Sequence, residues 1–136
     1  MLVSDELRIP IVNEVDIVEA RRGGRALAAE LGFGLSDQAL IATAISELAR
    51  NILQYAGMGE IAVTHVVDGP RPGLVIIARD KGPGITDLRK ALQEGYSTSG
   101  GLGLGLPGVR RLMDEFEVAS EMGQGTTVTA KKWTRC

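Results

Sequence analysis

The feature that most constrains this sequence is a long amphipathic stretch from Asp37 to about Tyr55. Its apolar residues recur three and four positions apart, which predicts a helix with one apolar face. These residues are Leu40, Ile41, Ala44, Ile45, Leu48, Ala49, Ile52 and Leu53. Gly57 and Gly59 follow and should end the helix. Because so long an apolar stripe must be buried, we expect this helix to lie on a sheet.

The segments before the long helix predict a strand and a second helix. Arg8 to Val15, with Pro10 inside it, suits a short edge strand. Asp16 is the predicted N-cap of a helix that runs to about Leu31. Its glycine pair, Gly23-Gly24, costs about 1 kcal/mol per glycine relative to alanine, so we expect close packing there. Ser36 is the predicted N-cap of the long helix.

The segments after the long helix predict the rest of the sheet. Glu60–Val67 and Leu74–Arg79 are the expected strands of a hairpin around a Gly/Pro turn. Two further helices are expected, one at Leu88–Gln93 and one from Pro107 to about Phe116. Glu117–Ser120 and Thr126–Trp133 are expected to form a last pair of strands. The order of elements predicts an α+β fold, a two-layer sandwich with helices on one face of a mixed, mostly antiparallel sheet.

Composition narrows the classes of function. A length of 136 residues predicts one domain spanning residues 1–136. The formal net charge is −2 and no Lys/Arg block occurs, so we expect neither nucleic acid nor a membrane surface as a partner. The sequence shows no apolar run long enough to cross a membrane and no pattern typical of a signal peptide. The one cysteine, Cys136, cannot form an intrachain disulfide. A cytoplasmic location is expected.

A glycine-rich stretch, Gly95 to Gly108, is the first candidate binding segment, with six glycines in 14 residues. It leads into a helix signal that begins at Pro107. Glycine-rich loops that precede a helix N-terminus can bind phosphate through backbone N–H groups. The alternative is a flexible linker, against which the alternating Leu102, Leu104 and Leu106 argue. By itself the stretch leaves both interpretations open.

Two further patterns carry candidate chemistry. Glu47 and Asn51 stand four residues apart on one helix face, where a carboxylate can accept a proton and an amide oxygen can ligate Mg²⁺. Asp80-x-Gly82-x-Gly84 places an acid at a strand end before two glycines. Taken singly, each pattern is also typical of ordinary structure, a solvated helix flank in the first case and a turn in the second.

Together, however, these patterns resemble a known family. Glu47-x-x-x-Asn51, Asp80-x-Gly82-x-Gly84 and Gly101-x-Gly103-x-Gly105 resemble the N, G1 and G2 boxes of the GHKL ATPase/kinase superfamily, and Gly125-Thr126-Thr127 completes the pattern. Within it, the segments Ile45–Asn51, Ser97–Gly103 and Gly105–Val109 look like the RsbT-type switch kinases of bacterial stress signalling. The resemblance implies the Bergerat, or GHKL ATPase, fold.

The resemblance also implies roles for single residues, with ATP and Mg²⁺ as cofactors. Asn51 would ligate Mg²⁺, and Glu47 would be the general base on a Ser or Thr hydroxyl. Asp80 would accept a hydrogen bond from adenine, with Thr127 supporting it. The implied nucleotide-binding set is Asn51, Asp80, Gly82, Gly84, Ile85, Gly101, Leu102, Gly103, Leu104, Gly105 and Thr127. Many relatives have Lys or His where this chain has Tyr55. Because that basic side chain is missing here, another residue would have to contact the γ-phosphate, and the candidates are Arg50, Lys81 and Arg110.

The resemblance implies partners as well. A switch kinase of this type would phosphorylate STAS-domain scaffold and antagonist proteins of the stressosome and would bind a PP2C-type phosphatase. The alternative is an anti-sigma factor that sequesters a sigma factor, with ATP as a conformational ligand. A histidine-kinase ATPase domain is disfavoured, since His65 lies in a predicted strand and no phosphoacceptor helix is evident.

Overall fold

The computed structural model describes residues 6–82, 106–121 and 123–134 of the chain. Within these ranges the helices are α1 (Glu14–Glu30), α2 (Leu35–Tyr55) and α3 (Leu106–Leu112). The strands are β1 (Leu7–Ile11), β2 (Gly59–Asp68), β3 (Arg71–Asp80), β4 (Glu115–Glu121) and β5 (Gly125–Trp133). No helix in this described part of the chain is long and apolar enough to cross a bilayer.

The five strands form one sheet in the order β1-β2-β3-β5-β4. The predicted α+β class is confirmed, because buried residues of all three helices share one core with one face of the sheet. The expectation of a mixed sheet is wrong for the described strands, whose pairings are all antiparallel. The short turns that join β2 to β3 and β4 to β5 explain part of this, since such turns connect antiparallel neighbours.

The first strand ends, and the first helix begins, at earlier residues than predicted. β1 is the edge strand that the sequence indicated, but it ends at Ile11 and α1 begins at Glu14. Asn13 is the N-cap: its side chain accepts a hydrogen bond from the Asp16 N–H at 3.2 Å, and its own N–H donates to the Asp16 carboxylate at 3.1 Å. Asp16 therefore closes a capping box from inside the helix and is not the N-cap.

α2 also begins earlier than predicted, at Leu35. Its N-cap is Gly34 rather than Ser36, and Gly34 has an extended backbone without a side-chain cap. The Gln38 side chain instead folds back and donates to the Phe33 carbonyl at 2.8 Å. The predicted end at Tyr55 is confirmed, and Gly57 follows with a positive φ of 86°.

The apolar stripe of α2 forms the centre of the core, as predicted. Six of its eight residues are buried, and Leu40 and Leu53 are partly exposed. α1 packs closely on this helix because a Cβ at Gly24 would overlap the Cδ1 atom of Ile45. A Cβ at Gly23 would lie 2.5 Å from Leu7 Cδ2. The glycine pair inside α1 thus has the close-packing role that its sequence cost indicated.

The predicted helix to about Phe116 is too long. α3 ends at Leu112, and β4 begins at Glu115. Phe116 and Val118 pack against the core while Glu115, Glu117 and Ala119 are exposed, which is the alternation of a strand rather than the period of a helix. The helix predicted over Leu88–Gln93 lies outside the described residues.

Candidate active site

Glu47 and Asn51 lie one turn apart on the flank of α2. Both are partly exposed, while the neighbouring positions Leu48 and Ile52 are buried against the sheet. The side chain of Glu47 is 20% exposed and forms an ion pair with Arg50. Packing of Leu48 and Ile52 in the core therefore fixes the backbone of this helical turn, while Glu47 and Asn51 stay at the edge of the core. The Glu47 carboxylate and the Asn51 amide oxygen can from there contact one ligand.

Asp80 is the last residue of β3, and its carboxylate is held in place by the turn that follows. The Gly82 N–H donates to Asp80 Oδ1 at 2.8 Å. Among the described residues no other hydrogen bond to this carboxylate is found. A side-chain oxygen that accepts from the backbone two residues on is typical of an Asp-initiated turn. One oxygen thus fixes the orientation and the other, Oδ2, can accept from a ligand.

Two glycines allow the turn formed by residues 80–82, here called the Asp80 turn, to pack between α2 and β5. A Cβ at Gly82 would lie 2.6 Å from the Cβ of Ala56, the C-cap of α2. A Cβ at Gly125 would overlap the Asp80 carbonyl oxygen, and Gly125 has a φ of 111°. Ala56 lies five residues beyond Asn51, about 7.5 Å along the helix axis at 1.5 Å per residue. The structure therefore brings the Asp80 turn to the end of the helix that carries Asn51.

A third glycine, Gly59, contacts the same region from β2. It is the cross-strand partner of Asp80. A Cβ at Gly59 would lie 2.8 Å from Ile52 Cγ2 and 3.2 Å from Asp80 Cβ. The sequence indicated Gly59 as a helix stop and missed this packing role, because the pairing of β2 with β3 cannot be read from spacing alone.

The strand register does not bring Thr127 to Asp80. Thr127 pairs with Arg79, whereas Thr126 pairs with Asp80. Because side chains alternate between the faces of a sheet, Thr126 shares the face of Asp80 and Thr127 lies on the opposite face. The threonine that can support Asp80 is therefore Thr126. The signal for it was present, since Val128 and Ala130 are at even spacing from Thr126 and are core residues.

The hydroxyl of Thr126 also has a partner on β4. Its Oγ1 lies 3.0 Å from Ser120 Oγ, and either group can be the donor. Ser120 is the cross-strand neighbour of Thr126. The face of the sheet that carries Asp80 therefore also carries two neighbouring hydroxyl groups, one near the end of β4 and one near the start of β5.

The predicted glycine-loop residues lie outside the described residues: Gly84, Ile85, Gly101, Leu102, Gly103, Leu104 and Gly105. The helix predicted after the glycine-rich stretch, α3, begins at Leu106, one residue before the predicted start. Its last turn is fixed by Lys132, which is 3% exposed and donates from Nζ to the Leu112 carbonyl at 2.8 Å. Asp37 Oδ1 lies 4.0 Å from the same nitrogen. A buried cation at a helix C-terminus is favourable, and here it anchors α3 to the sheet.

The side chains considered for the γ-phosphate all lie at the surface. Arg50, Lys81 and Arg110 are exposed, and so is Tyr55. Arg50 Nη1 forms its ion pair with Glu47 Oε2 at 3.2 Å. A contact of any of these residues with the γ-phosphate remains a prediction.

The family of this chain follows from comparison with known proteins. Residues 36–134, which include all of α2 except its first residue, the Asp80 turn and Thr126, match the model of the histidine kinase-, DNA gyrase B- and HSP90-like ATPases. The chain belongs to this family. The resemblance to the GHKL superfamily is thereby confirmed.

Similar proteins define the branch within the family. The chain is 58% identical to the serine/threonine-protein kinase RsbT of Bacillus subtilis (strain 168), over 98% of this chain and 100% of that protein. It is 32% identical to an anti-sigma F factor of Thermoanaerobacter sp. (strain X514), over 84% of this chain and 82% of that protein. The resemblance to RsbT-type kinases and the prediction of a protein serine/threonine kinase are confirmed.

A solved structure supports the fold independently. The RsbU and RsbW domains from Mycobacterium tuberculosis superpose with a TM-score of 0.65 at 23% identity, covering 99% of this chain and 34% of that chain. At this level of identity the similarity concerns the fold. It agrees with the GHKL ATPase fold that the sequence motifs implied.

The described residues fit ATP as the cofactor of such a kinase. Asp80 Oδ2 is an acceptor on a carboxylate whose orientation is fixed, as the exocyclic amine of adenine requires. Glycines at positions 59, 82 and 125 keep Cβ atoms out of the region around Asp80. Asn51 offers an amide oxygen, and a nucleotide-bound Mg²⁺ commonly takes one or two protein oxygens beside phosphates and water.

We expect Gly125→Ala to destabilise the protein more than Gly123→Ala. The two glycines have φ values of 111° and 79°, so each substitution adds backbone strain of about 1 kcal/mol. Only at Gly125 does the added Cβ also meet the Asp80 backbone, whereas nothing lies within 4 Å at Gly123. The loss at Gly125 should reach about 3 kcal/mol in the free energy of unfolding. Urea denaturation measures both values, and equal losses would contradict the packing role of Gly125.

We expect Thr126→Val and Thr127→Val to differ in nucleotide affinity. Valine keeps the shape of threonine and removes the hydroxyl, so Thr126→Val should weaken ADP binding about tenfold through the loss of a hydroxyl group on the face of the sheet that carries Asp80. Thr127→Val should leave the affinity within about twofold, because its hydroxyl lies on the other face of the sheet. Isothermal titration calorimetry compares the two. A larger effect at Thr127 would show that the register argument is wrong.

Proposed function

We propose that this chain is an ATP- and Mg²⁺-dependent protein serine/threonine kinase of a bacterial partner-switching module. Its substrates are STAS-domain scaffold and antagonist proteins of the stressosome, and when released from them it binds a PP2C-type phosphatase. It acts in the cytoplasm. The observation that carries the proposal is the 58% identity to a serine/threonine kinase along 98% of the chain.

The geometry of α2 supports kinase chemistry at its flank. Asn51 would hold Mg²⁺ through its amide oxygen, and Glu47, one turn earlier, would accept the proton of the substrate hydroxyl. When bound, ATP supplies the phosphoryl group and Mg²⁺ neutralises phosphate charge. In the transfer, a bond from the hydroxyl oxygen to the γ-phosphorus would replace the bond to the ADP leaving group, which would depart with its electron pair. Glu47 would hold the proton removed from the hydroxyl.

The Asp80 turn would recognise the base. Oδ2 of Asp80 would accept a hydrogen bond from the adenine amine, while Thr126 and Ser120 provide hydroxyl groups on the same face. Gly82 would let the chain pass close to the base. The glycine-loop residues implied by the family motif would complete the phosphate contacts: Gly84, Ile85, Gly101, Leu102, Gly103, Leu104 and Gly105.

The second candidate is an anti-sigma factor that sequesters a sigma factor. It is favoured by the anti-sigma F factors among the relatives, which share 32% identity with the chain over 84% of its length. We rank it second because the identity to the kinase is 58% over 98% of the chain. A pull-down from cell extract with and without ATP separates the candidates: STAS proteins or a phosphatase support the kinase, and a sigma factor supports the alternative.

We expect Glu47→Gln to abolish phosphoryl transfer while nucleotide binding persists. A glutamine keeps the size of the side chain but cannot take the hydroxyl proton, so the rate should fall about 10²- to 10⁴-fold. Transfer of labelled phosphate from ATP to a STAS-domain partner measures the rate, and calorimetry with ADP measures binding.

Asp80→Asn is the matched control for this experiment, because it too replaces a carboxylate by an amide. It should weaken nucleotide binding, since an amide nitrogen or a reoriented oxygen cannot reproduce the acceptor that Gly82 holds in place. Undiminished transfer by the Glu47→Gln variant would refute the assignment of the base. Unchanged ADP affinity of the Asp80→Asn variant would refute the adenine role.

A further inference from the structure

Glu47, the proposed general base, forms an ion pair with another residue of α2. Arg50 Nη1 lies 3.2 Å from Glu47 Oε2 and donates a hydrogen bond to it. The two residues are three positions apart, and the arginine side chain is 49% exposed. For either residue this pair is the one side-chain interaction found among the described residues. In this state one carboxylate oxygen of Glu47 accepts from the arginine and not from a substrate.

This ion pair is weak enough to be exchanged. Exposed pairs one helical turn apart contribute about 0.3–0.5 kcal/mol. An incoming carboxylate that meets Arg50 at a protein interface, with water excluded, can bind it more strongly than the exposed Glu47 pair does. The guanidinium can therefore pass from Glu47 to another carboxylate at little cost.

The position of Arg50 on the helix separates it from the proposed nucleotide side. At about 100° per residue, Asn51 lies about 40° to one side of Glu47 and Arg50 about 60° to the other. Glu47 thus stands between the residue that would hold the metal and the arginine. A protein hydroxyl that reaches Glu47 from solvent brings its neighbouring residues toward Arg50 rather than toward Asn51.

We propose that Arg50 is a specificity-determining residue that binds an acidic side chain next to the acceptor hydroxyl of the protein substrate. When that side chain pairs with Arg50, Glu47 is released from its ion pair and is free to accept the hydroxyl proton. The correct substrate thereby frees the base that acts on it. This inference rests on the proposed kinase function, because it requires that Glu47 acts on a protein hydroxyl.

The test compares three variants in phosphoryl transfer to a STAS-domain partner: Arg50→Gln, Arg50→Lys and the control Arg8→Gln. Arg8 is a matched control because its side chain is 53% exposed and pairs with Glu60 at 3.1 Å, on edge strand β1. Arg50→Gln should raise KM for the partner at least about fivefold, as expected for the loss of an interfacial charge pair. KM for ATP should stay within about twofold, because Arg50 lies away from Asn51.

The other variants and a binding measurement exclude a merely structural effect. Arg50→Lys keeps the charge and should restore most of the affinity for the partner, while Arg8→Gln should behave like the unsubstituted protein. Calorimetry with a non-hydrolysable ATP analogue bound should show the same loss of partner affinity for Arg50→Gln. Changing acidic residues around the acceptor site of the partner to amides should identify one whose loss is not additive with Arg50→Gln.

The outcomes distinguish this inference from the proposed function. If the unsubstituted protein transfers no phosphate to the partner, the proposed function is wrong and the inference falls with it. If it transfers phosphate and Arg50→Gln leaves KM for the partner unchanged, the role of Arg50 alone is wrong. A rise in KM for ATP instead would assign Arg50 to the phosphates and would also overturn the inference.

Discussion

The site depends on the contact between the backbone of the Asp80 turn and the two elements on either side of it. The turn fits between the C-cap of α2 and the start of β5 because Gly82 and Gly125 have no Cβ atoms. Any larger residue at either position would separate the turn from the helix or the strand. Since α2 carries Glu47 and Asn51, this packing fixes the distance between the proposed phosphate and adenine ends of the site.

The remainder of the fold keeps α2 in place for this contact. Six residues of its apolar stripe are buried on the sheet, and Gly24 lets α1 pack directly on Ile45. The buried Lys132 of β5 donates to the carbonyl of Leu112 at the end of α3 and so anchors α3 to the sheet. A close-packed core resists displacement, so the polar residues on the flank of α2 are positioned by apolar ones. Glu47 and Arg50 remain exposed enough to exchange partners.

Much of this could be predicted from the sequence, and the exceptions share a physical cause. The period of α2, the β2–β3 hairpin and the glycine pair in α1 are local patterns, and all were confirmed. Helix starts were less accurate. Asn13 and Asp16 are both competent caps and form one capping box at the start of α1, whereas α2 begins after Gly34 without a side-chain cap, so that Ser36 lies inside the helix. Thr126 was missed because the resemblance pointed to its neighbour, although strand alternation with Val128 favoured it. The packing of Gly59 and Gly125 against Asp80 depends on strand register, which no short segment encodes.

Asp80, fixed by this packing, is the proposed acceptor for the amine of adenine. The most direct test of this role is calorimetry of the unsubstituted protein with ADP and with inosine diphosphate, which differ in that a carbonyl oxygen replaces the amine. A site built to accept from that amine would face an oxygen in the inosine nucleotide and should bind it at least about 100-fold more weakly. Equal affinity for the two nucleotides would contradict the role of Asp80 as the adenine acceptor.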